Sequence, residues 1–322
     1  MKPFRFGVQA FEASTASEWY EIVRKAEDLG YSTLFSSDHY FGPGEIAAAT
    51  GHRPVDMAPL TSIAMAAARS TTLRVGCRVF CCDFHHPVVL AKEMATLDVL
   101  SEGRLEVGLG AGWIRDEYDG LGVAMASAGQ RIAKLGEFVD LMRAHWSGEQ
   151  IDVHGSYVDV TGFSGLPRPV QQPGPPIIIG GGAPKILRLA GERADIVSIN
   201  FNNSSGKLGS ASVMSSGADE TTDKVGWIRE GAGDRFDAIE IEIGAYFVAV
   251  GDGAADQLDA MASRFGVGAA DFASHPHALF GSVDEICDVL RARRDRYGSS
   301  YVTVAQRYLD EFAPVVAALA GH

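Results

Sequence analysis

Short apolar runs alternate with amphipathic stretches along most of the chain. In the amphipathic stretches, apolar residues recur every three or four positions, which is typical of helices that bury one face. The apolar runs predict eight strands, at residues 4–9, 33–36, 73–80, 104–109, 177–179, 194–199, 239–250 and 301–304. Strands that alternate with helices form parallel sheets, so these units favour a closed (β/α)8 TIM barrel, in a single domain over residues 1–322.

An open, doubly wound sheet is the alternative arrangement of the same units. That fold usually carries a glycine-rich turn directly after its first strand. Here the first predicted strand is followed by AFEAST, at residues 10–15, which contains no glycine. The barrel is therefore preferred.

Three further features modify the simple alternation. Alternating polar and apolar residues over 151–160 predict a small hairpin insertion. Two segments rich in glycine, proline or serine, at 38–56 and 200–219, are predicted to be long loops that would shape the substrate pocket. The helix predicted over 87–100 is more apolar than the exterior of a barrel should be, and this favours a homodimer.

The junction between the predicted strand at 177–179 and the next helix consists of Gly180, Gly181 and Gly182. Glycines let main-chain N–H groups approach an anion without an intervening Cβ, and the N-terminus of the helix adds partial positive charge. A tight turn that needs a positive φ is the alternative explanation, but one glycine would be enough for it. The pattern favours a phosphate site.

Composition limits the classes of partner. The 322 residues carry 28 Lys and Arg against 41 Asp and Glu, a net charge of −13, which argues against a nucleic-acid or membrane surface. The N-terminus has no signal-peptide core, so a cytoplasmic protein is expected, and its four cysteines should be thiols. The grouping of three cysteines with His85 and His86 has no zinc-finger spacing, so no metal is expected.

Three segments, 26–40, 73–122 and 175–200, resemble the luciferase-like flavin and deazaflavin oxidoreductases. The middle one is the most specific: His86-Pro87 opens a helix that ends in ATLDVLSEGR, and the strand that follows ends in GLGAGW. The likeness is strongest to the actinobacterial enzymes that use coenzyme F420, a 5-deazaflavin. The fold of that family is a (β/α)8 barrel.

The resemblance implies roles for individual residues. It places the coenzyme phosphate at Gly180, Gly181 and Gly182, and the pair Asp38 and His39 beside the flavin-type ring, where His39 would exchange a proton. It also implies close approach of the ring to Gly110, Ala111 and Gly112, and a non-prolyl cis peptide between Arg78 and Val79 behind the ring. Strand alternation by itself would equally allow Arg78 to point outward.

Trp113 is expected to form a wall of the substrate pocket, with ordinary core packing as the alternative. Sugar-oxidising deazaflavin relatives carry a glutamate at the matching position, so Trp113 argues against oxidation of a sugar alcohol and leaves the proton donor unassigned. The acidic residues Asp116, Glu117 and Asp119 that follow are interpreted as a solvated start of a helix.

The sequence therefore predicts an F420-dependent oxidoreductase that transfers a hydride between the deazaflavin C5 and a small organic substrate. The alternative is an FMN-dependent monooxygenase that uses O₂ and reduced FMN from a partner flavin reductase. A flavin-binding barrel without turnover is a third hypothesis, and the pair Asp38 and His39 argues against it.

Overall fold

The structure, a computed structural model, describes residues 2–322. Its strands are β1 (Arg5–Gln9), β2 (Thr33–Ser36), β3 (Arg74–Cys81), β4 (Leu105–Gly110), β5 (Gln150–His154), β6 (Asp159–Ser164), β7 (Ile177–Gly181), β8 (Ile196–Ile199), β9 (Glu240–Ala245), β10 (Phe247–Val250), β11 (Ala278–Gly281) and β12 (Ser299–Ala305). The parallel strands of the barrel follow the closed order β1-β12-β9-β8-β7-β4-β3-β2. These correspond to the eight predicted strands, so the predicted barrel is confirmed.

Helices connect successive strands and cover the outside of the barrel. They are α1 (Ala16–Asp28), α2 (Glu45–Thr50), α3 (Pro59–Arg69), α4 (Pro87–Leu100), α5 (Arg115–Leu121), α6 (Ala128–Ser147), α7 (Pro184–Arg193), α8 (Ser210–Met214), α9 (Ala218–Ala232), α10 (Ala254–Phe265), α11 (Ala269–Ala273), α12 (Val283–Tyr297) and α13 (Leu309–Leu319). Two 3₁₀ turns span Gly233–Ala238 and Gln306–Tyr308. Thr15 caps α1 by accepting a hydrogen bond from the Glu18 N–H at 3.2 Å, and Pro87 occupies the first turn of α4.

The predicted hairpin is confirmed as an insertion between α6 and β7. Strands β5 and β6 pair antiparallel in a sheet of their own, with His154 opposite Asp159. The hairpin packs against α6 on the outside of the barrel, so it does not contribute to the barrel mouth.

Charged and aromatic side chains fill the N-terminal end of the barrel. Glu106 on β4 is 1% exposed and accepts hydrogen bonds from Arg5 at 2.5 Å and from Arg74 at 2.8 Å. The Tyr301 hydroxyl donates to its second oxygen at 3.1 Å, and the Arg5 guanidinium lies 3.6 Å from the centre of the Tyr301 ring. This end is closed by groups that satisfy one another, which leaves the C-terminal end for a ligand.

The prediction of a single strand over residues 239–250 is wrong, because this segment forms two strands. It divides at Tyr246 into β9, which belongs to the barrel, and β10, which pairs with β11 outside it. The N–H groups of Tyr246 and Phe247 both donate to the carbonyl of His277, at 3.0 and 3.1 Å, and this contact turns the chain out of the barrel. Alternation of apolar residues continues through the bend, so the pattern does not reveal it.

The two predicted long loops contain short helices. Residues 38–56 include α2 and residues 200–219 include α8 together with the start of α9. Helix α2 ends at Gly51, which adopts the left-handed conformation with φ +72°. The two segments meet over the barrel mouth, where the Leu208 N–H donates to the Thr50 carbonyl at 2.9 Å. Helices of five or six residues are too short to show a periodic pattern.

Two properties of the chain concern its surroundings. Within residues 2–322, no helix combines the length and the apolar character needed to cross a membrane. The four cysteines, Cys77, Cys81, Cys82 and Cys287, are buried and free, as expected for thiols. Burial raises the pKa of the Cys81 thiol to about 12.

Candidate active site

The predicted site residues lie at the carboxyl ends of four barrel strands. Asp38 and His39 follow β2, Arg78 and Val79 lie in the last half of β3, and the segments 110–113 and 180–182 are at the ends of β4 and β7. Val79 links two of these groups, because its side chain faces both Gly110 and Gly180. Parallel strands bring their carboxyl ends to one rim, so residues far apart in the sequence share one mouth.

Asp38 joins the ends of β2 and β3. Its Oδ2 accepts hydrogen bonds from the Cys81 N–H at 2.7 Å and from the His85 Nε2 at 2.9 Å. Its Oδ1 is buried and has no hydrogen-bond partner within residues 2–322. The contacts made by Oδ2 give Asp38 a positioning role, and its catalytic role stays a prediction.

His39 is held by Glu117, a residue whose role the sequence interpretation missed. The Nδ1 of His39 lies 2.7 Å from Glu117 Oε2, and the Tyr40 N–H donates to Glu117 Oε1 at 2.7 Å. Glu117 is 2% exposed, so the prediction of a solvated carboxylate is wrong for it, although Asp116 and Asp119 are exposed as expected. Glu117 lies on the face of helix α5 that packs toward the end of β2. No pattern in the local sequence identifies that face.

Aromatic rings surround His39 at the mouth. His52, after α2, lies 4.4 Å from the His39 ring centre, and Trp113 lies 6.2 Å from the centres of both rings. Phe41 lies 5.5 Å from His39, and Phe11 stacks on His52 at 5.9 Å. We call Phe11, His39, Phe41, His52 and Trp113 the aromatic wall. Trp113 is half-buried within it.

Arg78 points into the barrel and not outward. It is 8% exposed, its Nε donates to Glu242 Oε2 at 3.1 Å, and its Nη2 donates to the Tyr246 hydroxyl at 3.1 Å. Burial opposes the charge, but Glu242 and Tyr246 raise the pKa of Arg78 above its ordinary value. The Tyr246 hydroxyl also donates to Asn200 Oδ1. The peptide between Arg78 and Val79 is cis, as the resemblance implied.

The three glycines at the end of β7, Gly180 to Gly182, are explained by different contacts. None has a positive φ, so the tight-turn explanation does not apply. A Cβ on Gly181 would collide with the side chain of Ile186, and one on Gly182 would collide with the carbonyls of Asn200 and Phe201. A Cβ on Gly180 would meet only ordinary contacts, the nearest at 3.5 Å. Packing therefore requires Gly181 and Gly182, whereas it would tolerate a Cβ at Gly180.

Helix α7 begins directly after these glycines. Ala183 is its N-cap residue, Pro184 occupies the first turn, and no side chain caps the helix. An uncapped N-terminus has N–H groups free to bind an anion, and the helix dipole favours negative charge there. The uncapped helix start, next to a strand end without side chains at Gly180 to Gly182, fits a phosphate group.

The glycines after β4 are also required by packing. A Cβ on Gly110 would lie 2.6 Å from Val79, and Gly112 has φ +70° and lies against the Tyr118 hydroxyl. Ala111 is half-buried, and its carbonyl accepts a hydrogen bond from Arg131 at 2.9 Å. Gly110, Ala111 and Gly112, which were expected to lie against the flat ring of the coenzyme, thus contact other residues of the protein.

Residues 2–322 contain no group of three or more His, Cys, Asp or Glu side chains arranged to hold a metal ion. The imidazole of His85 bonds to Asp38, and Cys81 contacts the Tyr118 hydroxyl at 3.2 Å.

The chain is similar to known proteins in sequence and in fold. The sequence profile of the luciferase-like monooxygenase family matches residues 2–285. F420-dependent glucose-6-phosphate dehydrogenases from Microbacterium testaceum (strain StLB037) and Nakamurella multipartita are 32% and 33% identical to this chain, over 60% and 64% of it. The alignments span 55% and 57% of those relatives, so the chain covers little more than half of their length.

The fold is shared with solved structures at lower identity. A long-chain alkane monooxygenase superposes with a TM-score of 0.78 at 16% identity, covering 99% of this chain and 91% of the other. An identity this low supports the fold alone.

The buried pair of Arg78 and Glu242 provides a stability test. Arg78→Met should lower the free energy of unfolding by about 3–5 kcal/mol, because it leaves a buried carboxylate without its counter-charge. The double variant Arg78→Met/Glu242→Leu should recover most of that loss, since no charge remains buried. Urea denaturation measures both.

The exposed pair of Arg24 and Asp28, 2.6 Å apart, supplies the control. Arg24→Met should change the free energy of unfolding by less than about 1 kcal/mol. A comparable loss for Arg24→Met and Arg78→Met would contradict the importance of burial.

Proposed function

Because this chain belongs to the luciferase-like monooxygenase family, we propose that it is an oxidoreductase that binds coenzyme F420 and acts on a small organic substrate. The observation that carries the proposal is the state of His39 at the barrel mouth. Its Nδ1 is held by the buried Glu117, while its Nε2 makes no hydrogen bond within residues 2–322 and is not buried. An imidazole fixed at one nitrogen and open at the other suits proton exchange with a bound substrate.

F420 is preferred to FMN as the coenzyme because of the named relatives, several of which are described as F420-dependent. The uncapped start of α7 and the glycine segment 180–182 before it would bind the coenzyme phosphate. Val79, between Gly110 and Gly180, would contact the ring system from within the barrel. When bound, F420 would supply a two-electron hydride carrier.

The residues of the chain would then divide the remaining work. His39 would hold or release the proton at Nε2, and Glu117 would keep the ring in position through Nδ1. The aromatic wall would exclude water from the reacting groups. The substrate of the named relatives, glucose 6-phosphate, is not carried over, because Trp113 stands where a carboxylate is expected in sugar-oxidising enzymes.

A homodimer is part of the proposal. Helix α4 exposes apolar side chains on the outside of the barrel: Val89 is 52% exposed, and Leu100 is 72% exposed. An apolar surface of this kind is typical of a protein–protein interface.

The first test compares the two coenzymes. Titration followed by fluorescence quenching should give a lower Kd for F420 than for FMN. Gly180→Val should weaken F420 binding by at least about tenfold, equivalent to about 1.4 kcal/mol, because it places a branched side chain in the segment that would bind the phosphate. Its melting temperature should stay near that of the parent, since the Cβ itself makes only ordinary contacts.

Gly226→Val is the matched control, because a Cβ at Gly226 on α9 meets nothing within 4 Å. It should bind F420 like the parent. Tighter binding of FMN than of F420 would instead support an FMN-dependent monooxygenase supplied by a flavin reductase.

The second test concerns His39. His39→Asn should lower turnover by about 10²–10⁴-fold, the usual contribution of a general acid or base. F420 affinity should be retained, because the phosphate site lies at a different strand end. The same change at the exposed His154 on the hairpin should leave turnover unchanged. Turnover of His39→Asn within threefold of the parent would refute the assignment.

The oligomeric state is measured by light scattering. We expect a mass twice the 34.3 kDa of the chain. Replacing Leu100 with Lys should shift the mass toward one chain, because it places a charge in the apolar interface. A parent mass of a single chain throughout the micromolar range would rule out the dimer.

A further inference from the structure

His52 lies beside His39, although neither the strand pattern nor any motif drew attention to it. It follows the left-handed turn at Gly51 that ends α2, and Phe11 and Trp113 enclose its ring together with Phe41. The centres of the His39 and His52 rings are 4.4 Å apart. Two imidazoles from different parts of one loop are thus brought into contact at the barrel mouth.

The hydrogen-bond partners define which nitrogen of each ring carries a proton. His52 Nδ1 lies 2.7 Å from the Arg53 carbonyl, which can only accept, so Nδ1 is the donor and Nε2 carries the lone pair. His39 Nδ1 lies 2.7 Å from the carboxylate of Glu117 and is likewise the donor. Neither Nε2 bonds to a residue in the described chain, and neither is buried.

The charged groups around the two rings differ. Burial and, to a smaller extent, repulsion from His39 lower the pKa of His52 to about 3. The rings that face His52 are those of His39, Phe41, Phe11 and Trp113, and only His39 among them is titratable. The Arg53 side chain is engaged elsewhere, donating to both oxygens of Glu12 at 2.9 and 2.8 Å. His39 has a carboxylate partner, whereas His52 has none.

We propose that His52 Nε2 is a hydrogen-bond acceptor of the substrate site, and that it selects substrates with a hydroxyl group next to the reacting carbon. This role rests on the proposed function, in which His39 exchanges the proton at the reacting oxygen. A hydroxyl on the neighbouring carbon would donate to His52 Nε2, while the carbon skeleton would lie against the rings of the aromatic wall. The substrate class is therefore α-hydroxy ketones and the corresponding vicinal diols.

The acceptor state of His52 is tested without any substrate. Diethyl pyrocarbonate reacts with the neutral form of an imidazole and not with the protonated form. Mass spectrometry of peptides gives the rate at His52, with N-acetylhistidine in the same solution as reference. Between pH 7 and pH 5 the reference should slow by about 25-fold, as follows from a pKa near 6.5. His52 should slow by less than about threefold, because it stays neutral over this range.

Two results would overturn the proposal at this stage. A rate at His52 that falls with pH in parallel with the reference would mean that the ring becomes protonated. The absence of modification of His52 at both pH values, while the reference reacts, would mean that Nε2 is closed to a ligand.

The selection for a hydroxyl is tested with cyclohexanone and 2-hydroxycyclohexanone, with reduced F420 (F420H2) supplied as the hydride donor that is oxidised to F420 as each ketone is reduced. The parent should favour the hydroxy ketone in kcat/KM by about three- to tenfold, the effect of one neutral hydrogen bond. His52→Phe keeps the aromatic packing but has no acceptor, so the preference for the hydroxy ketone should disappear. The loss should come from a change in KM, and F420 affinity should be retained. His52→Gln, which restores an acceptor oxygen, should recover part of it.

The outcomes separate this proposal from the function on which it rests. A preference for the hydroxy ketone that persists in His52→Phe would refute the selecting role of His52, even if F420 turnover is normal. Failure of the parent to bind F420 would contradict the proposed function, and the pyrocarbonate result would then decide by itself whether His52 is a neutral, open acceptor. A parent that binds F420 but reduces neither ketone would refute the substrate class proposed here.

Discussion

The guanidinium of Arg78 spans the barrel interior to the carboxylate of Glu242, and the C-terminal mouth is organised around this contact. The two residues lie on β3 and β9, which face each other across the closed strand order. The same guanidinium reaches Gln9 on β1 and the Tyr246 hydroxyl, which in turn contacts Asn200 after β8. Four strand ends are therefore held at fixed separations by groups that cannot be left unpaired when buried.

Above this polar layer the mouth has two different sides. Beyond β2 and β4 lies the aromatic wall, in which His39 is linked to a buried carboxylate. Beyond β7 lies the uncapped start of α7, which offers main-chain N–H groups and has no acidic side chain in its first turn. In the proposed function, an anionic coenzyme tail would bind on one side and the substrate on the other. Proton exchange would then take place on the side where imidazoles and carboxylates meet.

The glycines at the ends of β4 and β7 show how one sequence pattern can have several causes. Gly182 permits the backbone of β7 to approach the carbonyls that follow β8, and Gly181 makes space for Ile186 at the start of α7. At Gly180 a Cβ would make only ordinary contacts, so packing does not require a glycine there. A run of three glycines is therefore compatible with a phosphate site, but its length reports mainly on how closely the protein packs around that site.

Much of this protein was determined by local sequence. The eight apolar runs, the glycine junction before α7 and the position of Asp38 and His39 after β2 follow from periodicity and from strand ends, which depend on neighbouring residues. Only the tertiary structure decided which side chains of the site pair with one another. Glu117 lies 78 residues from His39, and Glu242 lies 164 residues from Arg78, so no local pattern links them. The division of 239–250 and the burial of Glu117 arise in the same way, because a side chain's surroundings depend on which distant elements pack against it.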